Sequence, residues 1–300
     1  MADIKLFNIK GDVKEYQSGT VTLEKELQTV IEQNMETFFG VTFLASEYCT
    51  TDGGRMDSIG IDENHCPVIF EYKRSMKENV INQGLFYLNW LLDHKDSFNV
   101  LVIKKLGLKA IDSIDWSMPR VVCIAGDFTK YDESAIKQMN RNISLIRYRK
   151  FGDDLLMFEQ INENIATAIA EDSGSTSGIK VKGASKTFAE KKKDASASIL
   201  TLYEDVRNYV LSLGDDITET QLKHYVAFKK IKNIVCVEIL KNHLTLYLKL
   251  DAKTVDYEDG FTRDTTHIGH YGTGDVEVTV RTRKDYEKAL ALLDRAYNEN

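Results

Sequence analysis

Two short stretches in the first third of the chain have the pattern of β-strands. Arg55–Ile61 alternates with a period of two, and Val68–Tyr72 is a β-rich run in which Ile69 and Glu71 share one face with Lys73 directly after it. The turn-forming run Asp62–Asn64 separates them, so the pattern predicts a β-hairpin. Pairing of the two strands would set Asp57 beside Glu71.

Helical spacing of apolar residues predicts two helices around this hairpin. One runs from Thr22 to Phe39 and is ended by Gly40, and the other runs from Glu78 to Lys95 with a wide apolar stripe that faces the sheet. Further runs predict strands at Val41–Tyr48, Val100–Lys104, Arg120–Ala125, Ile143–Arg149 and Leu155–Ile161, and a helix at Tyr131–Asn140. This order of elements indicates an α/β fold with a three-layer core around a mixed sheet.

The composition changes between Glu171 and Ala197, where Ser, Gly, Thr, Ala and Lys dominate. We interpret this segment as an exposed flexible linker. Beyond it, the pattern predicts a smaller α+β domain with helices at Leu200–Leu213 and Asp285–Tyr297 and strands at Gln221–Phe228, Ile234–Leu240, Leu244–Leu250 and Val276–Thr282. The predicted organisation is a first domain over residues 1–170, a linker over 171–197 and an accessory domain over 198–300.

The composition fits a protein with a sizeable core, because 43% of the 300 residues are hydrophobic. No apolar run approaches the length of a membrane span, and the N-terminus lacks the layout of a secretory signal, so we expect a cytoplasmic protein without a membrane partner. The four cysteines are widely scattered, which argues against structural zinc and for reduced thiols.

The formal net charge of −7 disfavours a nucleic-acid partner at first sight, because phosphate binding needs positive potential. A local basic rim can still form around a group of metal-binding acids. The basic residues near the hairpin in sequence are Arg55, Lys73, Arg74 and Lys77. Two interpretations stay open for them: contact with phosphate, or salt bridges to acids such as Glu47 and Glu78.

Asp57, Glu71 and Lys73 form the candidate chemical site. Two neighbouring carboxylates repel each other unless a cation lies between them, and a hard divalent ion such as Mg²⁺ or Mn²⁺ suits oxygen ligands. Such an ion can bind a phosphate oxygen and activate water while a lysine stabilises the developing charge. The set predicts phosphodiester hydrolysis. The alternative is that Glu71 and Lys73 belong to an ordinary solvated strand face.

These residues resemble the motifs of the PD-(D/E)XK nuclease superfamily. Met56-Asp57 stands at the first motif, although the proline is absent, and Glu71-Tyr72-Lys73 stands at the second. Gln83 and Tyr87 are similar to the Q-x-x-x-Y motif of the RecB-like branch, and Glu24 is similar to a first-helix glutamate of resolvase-type members. The likeness extends to the branch related to mismatch endonucleases.

The resemblance covers roughly residues 20–160 and implies a metal-dependent DNA endonuclease of DNA defence or repair. It implies that Asp57 and Glu71 bind the metal with Glu24 as a third carboxylate, that Lys73 assists the attacking water, and that Gln83 and Tyr87 position the strand and the site. Glu32 on the same helix is an alternative to Glu24. The competing hypothesis is a catalytically silent nuclease fold that binds nucleic acid or another protein, and a homodimer is left open.

The last hundred residues resemble an uncharacterised domain that often follows such nuclease domains, so the resemblance gives this part no function beyond recognition of a target or partner. Asp264, His267 and His270 suggest a metal site, with packing of a glycine-rich loop as the alternative. A second set suggests contact with nucleic acid, with a place in a core strand as the alternative: Tyr225, Phe228, Lys229, Lys230 and Lys232.

Overall fold

The computed structural model describes residues 4–20, 24–73, 80–165 and 186–300. The chain divides into two compact units, residues 1–168 and residues 169–300. The first contains a mixed sheet between helices and the second an antiparallel sheet with helices, so the predicted fold class is confirmed. No helix among the described residues is both long enough and apolar enough to cross a membrane.

The first unit is organised around a seven-stranded sheet. Two strands, β1 (Leu6–Asn8) and β2 (Lys14–Tyr16), form a separate hairpin. The strands of the large sheet are β3 (Ser18–Gly19), β4 (Val41–Cys49), β5 (Arg55–Asp62), β6 (Pro67–Lys73), β7 (Arg120–Ala125), β8 (Asn142–Phe151) and β9 (Leu155–Asn164). The order is β3-β8-β7-β6-β5-β4, with β9 also paired to β8. β6, β7 and β8 run parallel, and the other pairs are antiparallel. The predicted hairpin is therefore β5–β6.

Helices cover both faces of this sheet. They are α1 (Glu24–Gln33), α2 (Met35–Phe39), α3 (Val80–Asp93), α4 (Lys95–Leu106) and α5 (Lys130–Ile136), with a 3₁₀ turn at Leu108–Ser113. Ile59 and Ile69 face the apolar cluster that includes α3. Phe70, on the opposite face, packs on Phe39 of α2. The two strands of the hairpin are therefore buried from both sides.

Gly84 permits the close approach of α3 to the sheet. A Cβ built at this position would lie 2.4 Å from Cγ1 of Val121 on β7. Any larger residue would push the helix away from the strand. The glycine thus determines how near the α3 side chains lie to the hairpin.

The predicted strand at Val100–Lys104 is wrong, because these residues lie in helix α4. Phe98 and Val102, four residues apart, are fully buried, whereas Val100 and Ile103 are exposed. A short apolar run in the sequence is compatible with a strand and with a half-buried helix. Burial of residues four positions apart, as observed here, is the pattern of a helix. The helix predicted from Thr22 is two helices, and its first residues lie outside the described ranges. Gly40 does end it, in the left-handed conformation with φ of 63°.

The second unit is a six-stranded antiparallel sheet with helices. Its strands are β10 (Thr218–Gln221), β11 (Val226–Lys229), β12 (Asn233–Ile239), β13 (Leu244–Leu248), β14 (Thr262–Asp264) and β15 (Val276–Val280), in the order β10-β11-β12-β13-β15-β14. Its helices are α6 (Phe188–Asp194), α7 (Ala197–Ser212) and α8 (Arg283–Asn298), with a 3₁₀ turn at Ala252–Thr254. Alternate residues of the central strands, such as Val235 and Val237, form the core with α7 and α8.

Two expectations for the second unit are corrected by the structure. Residues 188–194, which were assigned to the linker, form helix α6, and residues 166–185 lie outside the described ranges. The predicted strand Gln221–Phe228 is instead a hairpin of β10 and β11, with a turn closed by the hydrogen bond from Leu222 N–H to the carbonyl of Tyr225 at 2.9 Å. The composition of the lysine-rich helix concealed its apolar anchor, Phe188, which is buried.

Candidate active site

The hairpin β5–β6 brings the two predicted acids together. The backbone ladder pairs Ser58 with Phe70. Next to this pair, at Asp57 and Glu71, side chains also form hydrogen bonds between the two strands. Oε1 of Glu71 accepts a hydrogen bond from the backbone N–H of Asp57 at 3.3 Å. Oδ2 of Asp57 accepts one from the backbone N–H of Tyr72 at 3.0 Å. The predicted placement of Asp57 beside Glu71 is therefore observed.

Burial raises the pKa of both acids, and the charge of Asp57 adds to this effect for Glu71. Glu71 is completely buried, and this burial, followed by the charge of Asp57, raises its pKa to about 9. Burial also raises the pKa of Asp57, against the hydrogen bond from Tyr72 and the charge of Lys73. Oε2 of Glu71 has no hydrogen-bond partner within the described part of the chain. At neutral pH the pair therefore holds a proton or needs a cation.

Lys73, the last residue of β6, supplies positive charge to this pair. Its charge lowers the pKa of both carboxyl groups, although burial outweighs it in each case. Lys73 is half-buried, and the chain direction carries it to the same end of the sheet as Glu71. The Glu-x-Lys spacing thus places a cation beside the carboxylates.

Helix α1 supports the strand that carries Asp57. The side-chain amide of Gln28 donates to the carbonyl oxygen of Asp57 at 2.8 Å and to Oγ of Ser46 at 3.2 Å. Glu32 accepts hydrogen bonds from Ser58 at 2.6 Å and from Gln28 at 2.8 Å. Since its Oε1 atom is committed to these donors, Glu32 is the weaker alternative for a third carboxylate.

Glu24 stands at the start of α1 and acts on Asp57 through its charge. Among the causes that raise the pKa of Asp57, burial is the largest and the negative charge of Glu24 is a smaller one. The charge of Glu24 therefore acts on Asp57. Its role as a metal ligand stays a prediction.

Gln83 and Tyr87 hold the beginning of β5. The hydroxyl of Tyr87 accepts a hydrogen bond from the backbone N–H of Arg55 at 3.1 Å and one from the side-chain amide of Gln83 at 3.3 Å. Tyr87 is buried, and a Cβ built at Gly54 would lie 2.6 Å from its Cε1 atom. These contacts fix the main chain two residues before Asp57. The pair therefore acts on the site by positioning the strand.

One residue of the basic rim, Arg55, forms a salt bridge with an acidic side chain. Nη1 of Arg55 lies 3.1 Å from Oε2 of Glu47, and Nζ of Lys25 lies 2.6 Å from Oε1 of the same residue. The salt-bridge interpretation thus applies to Arg55. Both pairs are exposed and contribute little stability. The other members, Arg74 and Lys77, and the acid Glu78 lie outside the described residues.

The carboxylate oxygens of Asp57 and Glu71 are the atoms that could bind a divalent ion. Within the described ranges no group of three or more His, Cys, Asp and Glu side chains is arranged to hold a metal. Mg²⁺ needs fewer, because it keeps several waters and is bound by one or two carboxylates together with substrate phosphates. Asp57 and the Oε2 atom of Glu71, which has no hydrogen-bond partner among the described residues, fit this chemistry. The ion itself stays a prediction.

The candidate residues of the second unit pack within it. His270 stacks on Tyr247 with 4.0 Å between ring centroids, and Asp264 accepts a hydrogen bond from the hydroxyl of Thr266 at 2.7 Å. Phe228 is completely buried in the core. The packing alternatives therefore hold for His270 and Phe228.

One buried ion pair was missed by sequence analysis. Nζ of Lys191 on α6 lies 2.5 Å from Oε1 of Glu238 on β12, and both side chains are about nine-tenths buried. The spacing of Thr187 and Glu190, which form a capping box at the start of α6, is the signal that could have revealed this helix. The pair fixes α6 to the sheet.

Comparisons with known proteins match both parts of the chain. Residues 184–300 match a domain of unknown function, DUF5655. An uncharacterized protein of Haemophilus influenzae (strain KW20 / Rd) is 29% identical over 308 residues, which is 99% of this chain and 100% of that protein.

Two solved structures are also similar to part of the chain. A repair endonuclease from Pyrococcus abyssi matches 43% of this chain and 49% of its own at 15% identity, with a TM-score of 0.25. The EndoMS-dsDNA2 complex matches 43% of this chain and 47% of its own at 18% identity, also with a TM-score of 0.25. The chain thus spans about half the length of the two solved chains, and a likeness of this size says nothing about activity.

Proposed function

We propose that the first unit is a nuclease that hydrolyses phosphodiester bonds with the help of a divalent metal ion, and that its substrate is DNA. The observation that carries the proposal is the reciprocal contact of Asp57 and Glu71 at the end of the hairpin, with Lys73 beside them. Two acids with raised pKa values, one with a buried oxygen lacking a partner in the described chain, are suited to exchange a proton for a cation.

Each residue has a distinct task in this proposal. Asp57 and Glu71 would hold Mg²⁺ or Mn²⁺, which would polarise the phosphate and lower the pKa of a bound water. Lys73 orients that water and stabilises the charge that develops on the phosphate. Glu24 completes the carboxylate set from α1.

The remaining residues act on the main chain of the site. Gln28 holds the carbonyl of Asp57, and the pair of Gln83 and Tyr87 holds the N–H of Arg55. A displacement of about 1 Å is enough to reduce catalysis substantially, so these contacts preserve the geometry that the carboxylates need. We assign to the second unit the recognition of the target or of a partner.

The test is cleavage of labelled single-stranded, duplex, branched and modified DNA with Mg²⁺ or Mn²⁺ and with EDTA. We expect metal-dependent products from the unsubstituted chain and none from Asp57→Ala or Glu71→Ala, while circular dichroism shows that both variants stay folded. Glu47→Ala is the matched control, since it removes a neighbouring carboxylate that is already paired with Lys25 and Arg55. Undiminished cleavage by both site variants would exclude this site.

The complete burial of Glu71 favours a second candidate, a catalytically silent nuclease fold that binds nucleic acid or another protein. Glu71 is closed off from solvent, whereas its neighbour Asp57 is half-buried. A binding module would keep its affinity for DNA in EDTA and would yield no product with either metal. The cleavage experiment therefore separates the two candidates.

A further inference from the structure

Phe86 places an exposed aromatic ring at the rim of the candidate site. It lies on α3 next to Tyr87, and it is 49% exposed whereas Tyr87 is buried. Its Cε1 atom lies 3.2 Å from a Cβ built at Gly54, so the ring rests against the turn that leads into β5. Asp57 lies three residues after Gly54 along the chain, a path of about 10 Å.

The ring stands on a well-fixed support. The turn at Thr50–Gly54 is closed by the hydrogen bond from Thr50 N–H to the carbonyl of Gly54 at 2.8 Å, and Trp90 of α3 donates to Oγ1 of Thr51 at 3.0 Å. Phe86 meets the ring of Tyr87 edge-on with 5.6 Å between centroids. Stacking of a ligand on Phe86 would therefore cost the protein little conformational entropy, which favours affinity.

The surroundings of Phe86 offer space and positive charge. A Cβ built at Gly53 would meet no atom of the described residues within 4 Å, so these residues leave the turn open on that side. The side chain of Arg55 is 61% exposed, and its surface pair with Glu47 is weak enough to be exchanged for a phosphate. Single-stranded nucleic acid is bound by aromatic rings that stack on bases together with cations that meet the backbone, and Arg55 directly follows Gly54, the residue against which the ring rests.

We propose that Phe86 is the stacking platform for an unpaired nucleobase of the substrate, so that single-stranded DNA, or duplex DNA with unpaired bases, is the preferred substrate class. The inference rests on the proposed nuclease function. A paired base shows its faces to its neighbours and is not available to the ring. A base within about three nucleotides of the cleaved phosphate can reach Phe86, because stacked nucleotides advance about 3.4 Å each.

The test is a double-mutant cycle between Phe86 and the bases of the substrate. Full-length protein carrying Glu71→Gln is titrated, with Mg²⁺ present, with a fully paired duplex and with the same duplex containing three unpaired nucleotides. We expect Phe86→Ala to weaken binding of the second DNA by about 5- to 150-fold and to leave the first unchanged. Phe86→Trp should keep the preference. An abasic nucleotide at one unpaired position should weaken binding by the Phe86 protein but not by Phe86→Ala.

Tyr131→Ala is the matched control, because this aromatic residue of α5 is 73% exposed and should affect neither DNA. Equal loss on both DNAs, no loss on either, or an abasic effect that is the same with and without Phe86 would overturn the inference. Cleavage of the same DNAs by the unsubstituted chain is measured in parallel. Absence of cleavage would contradict the proposed function alone, whereas cleavage with an unchanged preference in Phe86→Ala would contradict this inference alone.

Discussion

Glu71 accepts a hydrogen bond at Oε1 from the backbone N–H of Asp57, so that the side chain of one strand is bound to the main chain of the other. Asp57 returns the contact through the N–H of Tyr72. Each carboxylate is thus held by the strand that carries the other. The site therefore depends on the register of the hairpin as much as on the identity of its acids, since a slip of one strand by one residue would turn its acid to the face opposite the other acid.

Stability of the metal-free protein should fall as the pH rises. The pKa of Glu71 is about 9 in the folded chain against an ordinary value of 4.5, so the folded state keeps a proton that the unfolded state releases. This contribution is complete below pH 4.5 and is lost as the pH approaches 9. The raised pKa of Asp57 acts in the same direction. Urea unfolding in EDTA at pH 5, 7 and 9 measures the effect.

The matched variant for this pH dependence is Glu71→Gln, which cannot ionise. Its free energy of unfolding should decline less with pH than that of the unsubstituted protein. Parallel curves for the two proteins between pH 5 and 9 would show that Glu71 does not hold the proton.

Tyr87→Phe should loosen the start of β5. The substitution removes the hydroxyl that accepts hydrogen bonds from Arg55 N–H and from Gln83, and a lost hydrogen bond of this kind costs about 1 kcal/mol. Cleavage should fall while binding of Mn²⁺ persists, because the carboxylates remain. Chemical unfolding and single-turnover kinetics check this, with the exposed Tyr131→Phe as control. Loss of Mn²⁺ binding in Tyr87→Phe would contradict an indirect role.

The hairpin could be predicted because its evidence is local. The alternation over Arg55–Ile61, the β-rich run Val68–Tyr72 and the turn between them indicate the two strands and hence the neighbours of Asp57. The contact of Tyr87 with the N–H of Arg55 could not be predicted, since it depends on how closely α3 approaches the sheet. That approach is determined by Gly84 against Val121, two residues far apart in sequence.

The errors arose where tertiary packing overrides a local pattern. The run at Val100–Lys104 is apolar throughout, yet only one side of it is buried, as in a helix. Residues 188–194 are rich in lysine, yet Phe188 and the paired Lys191 anchor them to the second unit. Composition described the solvent-facing residues of this segment and gave no information about its buried ones.

Gly84→Ala should destabilise the first unit. The added methyl group would lie 2.4 Å from Cγ1 of Val121, and overpacking of this kind costs about 1–3 kcal/mol. The helix would also shift away from the hairpin together with Gln83 and Tyr87. Urea unfolding measures the change, and Asn89→Ala on the exposed side of α3 is the control. Equal stability of Gly84→Ala and the unsubstituted protein would contradict the close approach of α3.

Lys191→Met should destabilise the second unit more than Lys192→Met does. Removal of the lysine leaves Glu238 buried without its cation, which costs on the order of 3–5 kcal/mol. The double variant Lys191→Met/Glu238→Gln should recover much of this loss because no charge remains buried. Lys192→Met, in an exposed pair with Glu204, is the matched control. Equal effects of Lys191→Met and Lys192→Met would contradict the buried pair.

The convergence of two carboxylates on one divalent ion is tested most directly by calorimetric titration of the metal-free protein with Mn²⁺ at pH 7.5. We predict saturable binding accompanied by proton release, because the ion displaces the proton that Glu71 holds at this pH. Binding should be lost in Asp57→Asn and in Glu71→Gln and kept in Glu47→Gln. Absence of binding, or equal affinity in all four proteins, would contradict a metal site at Asp57 and Glu71.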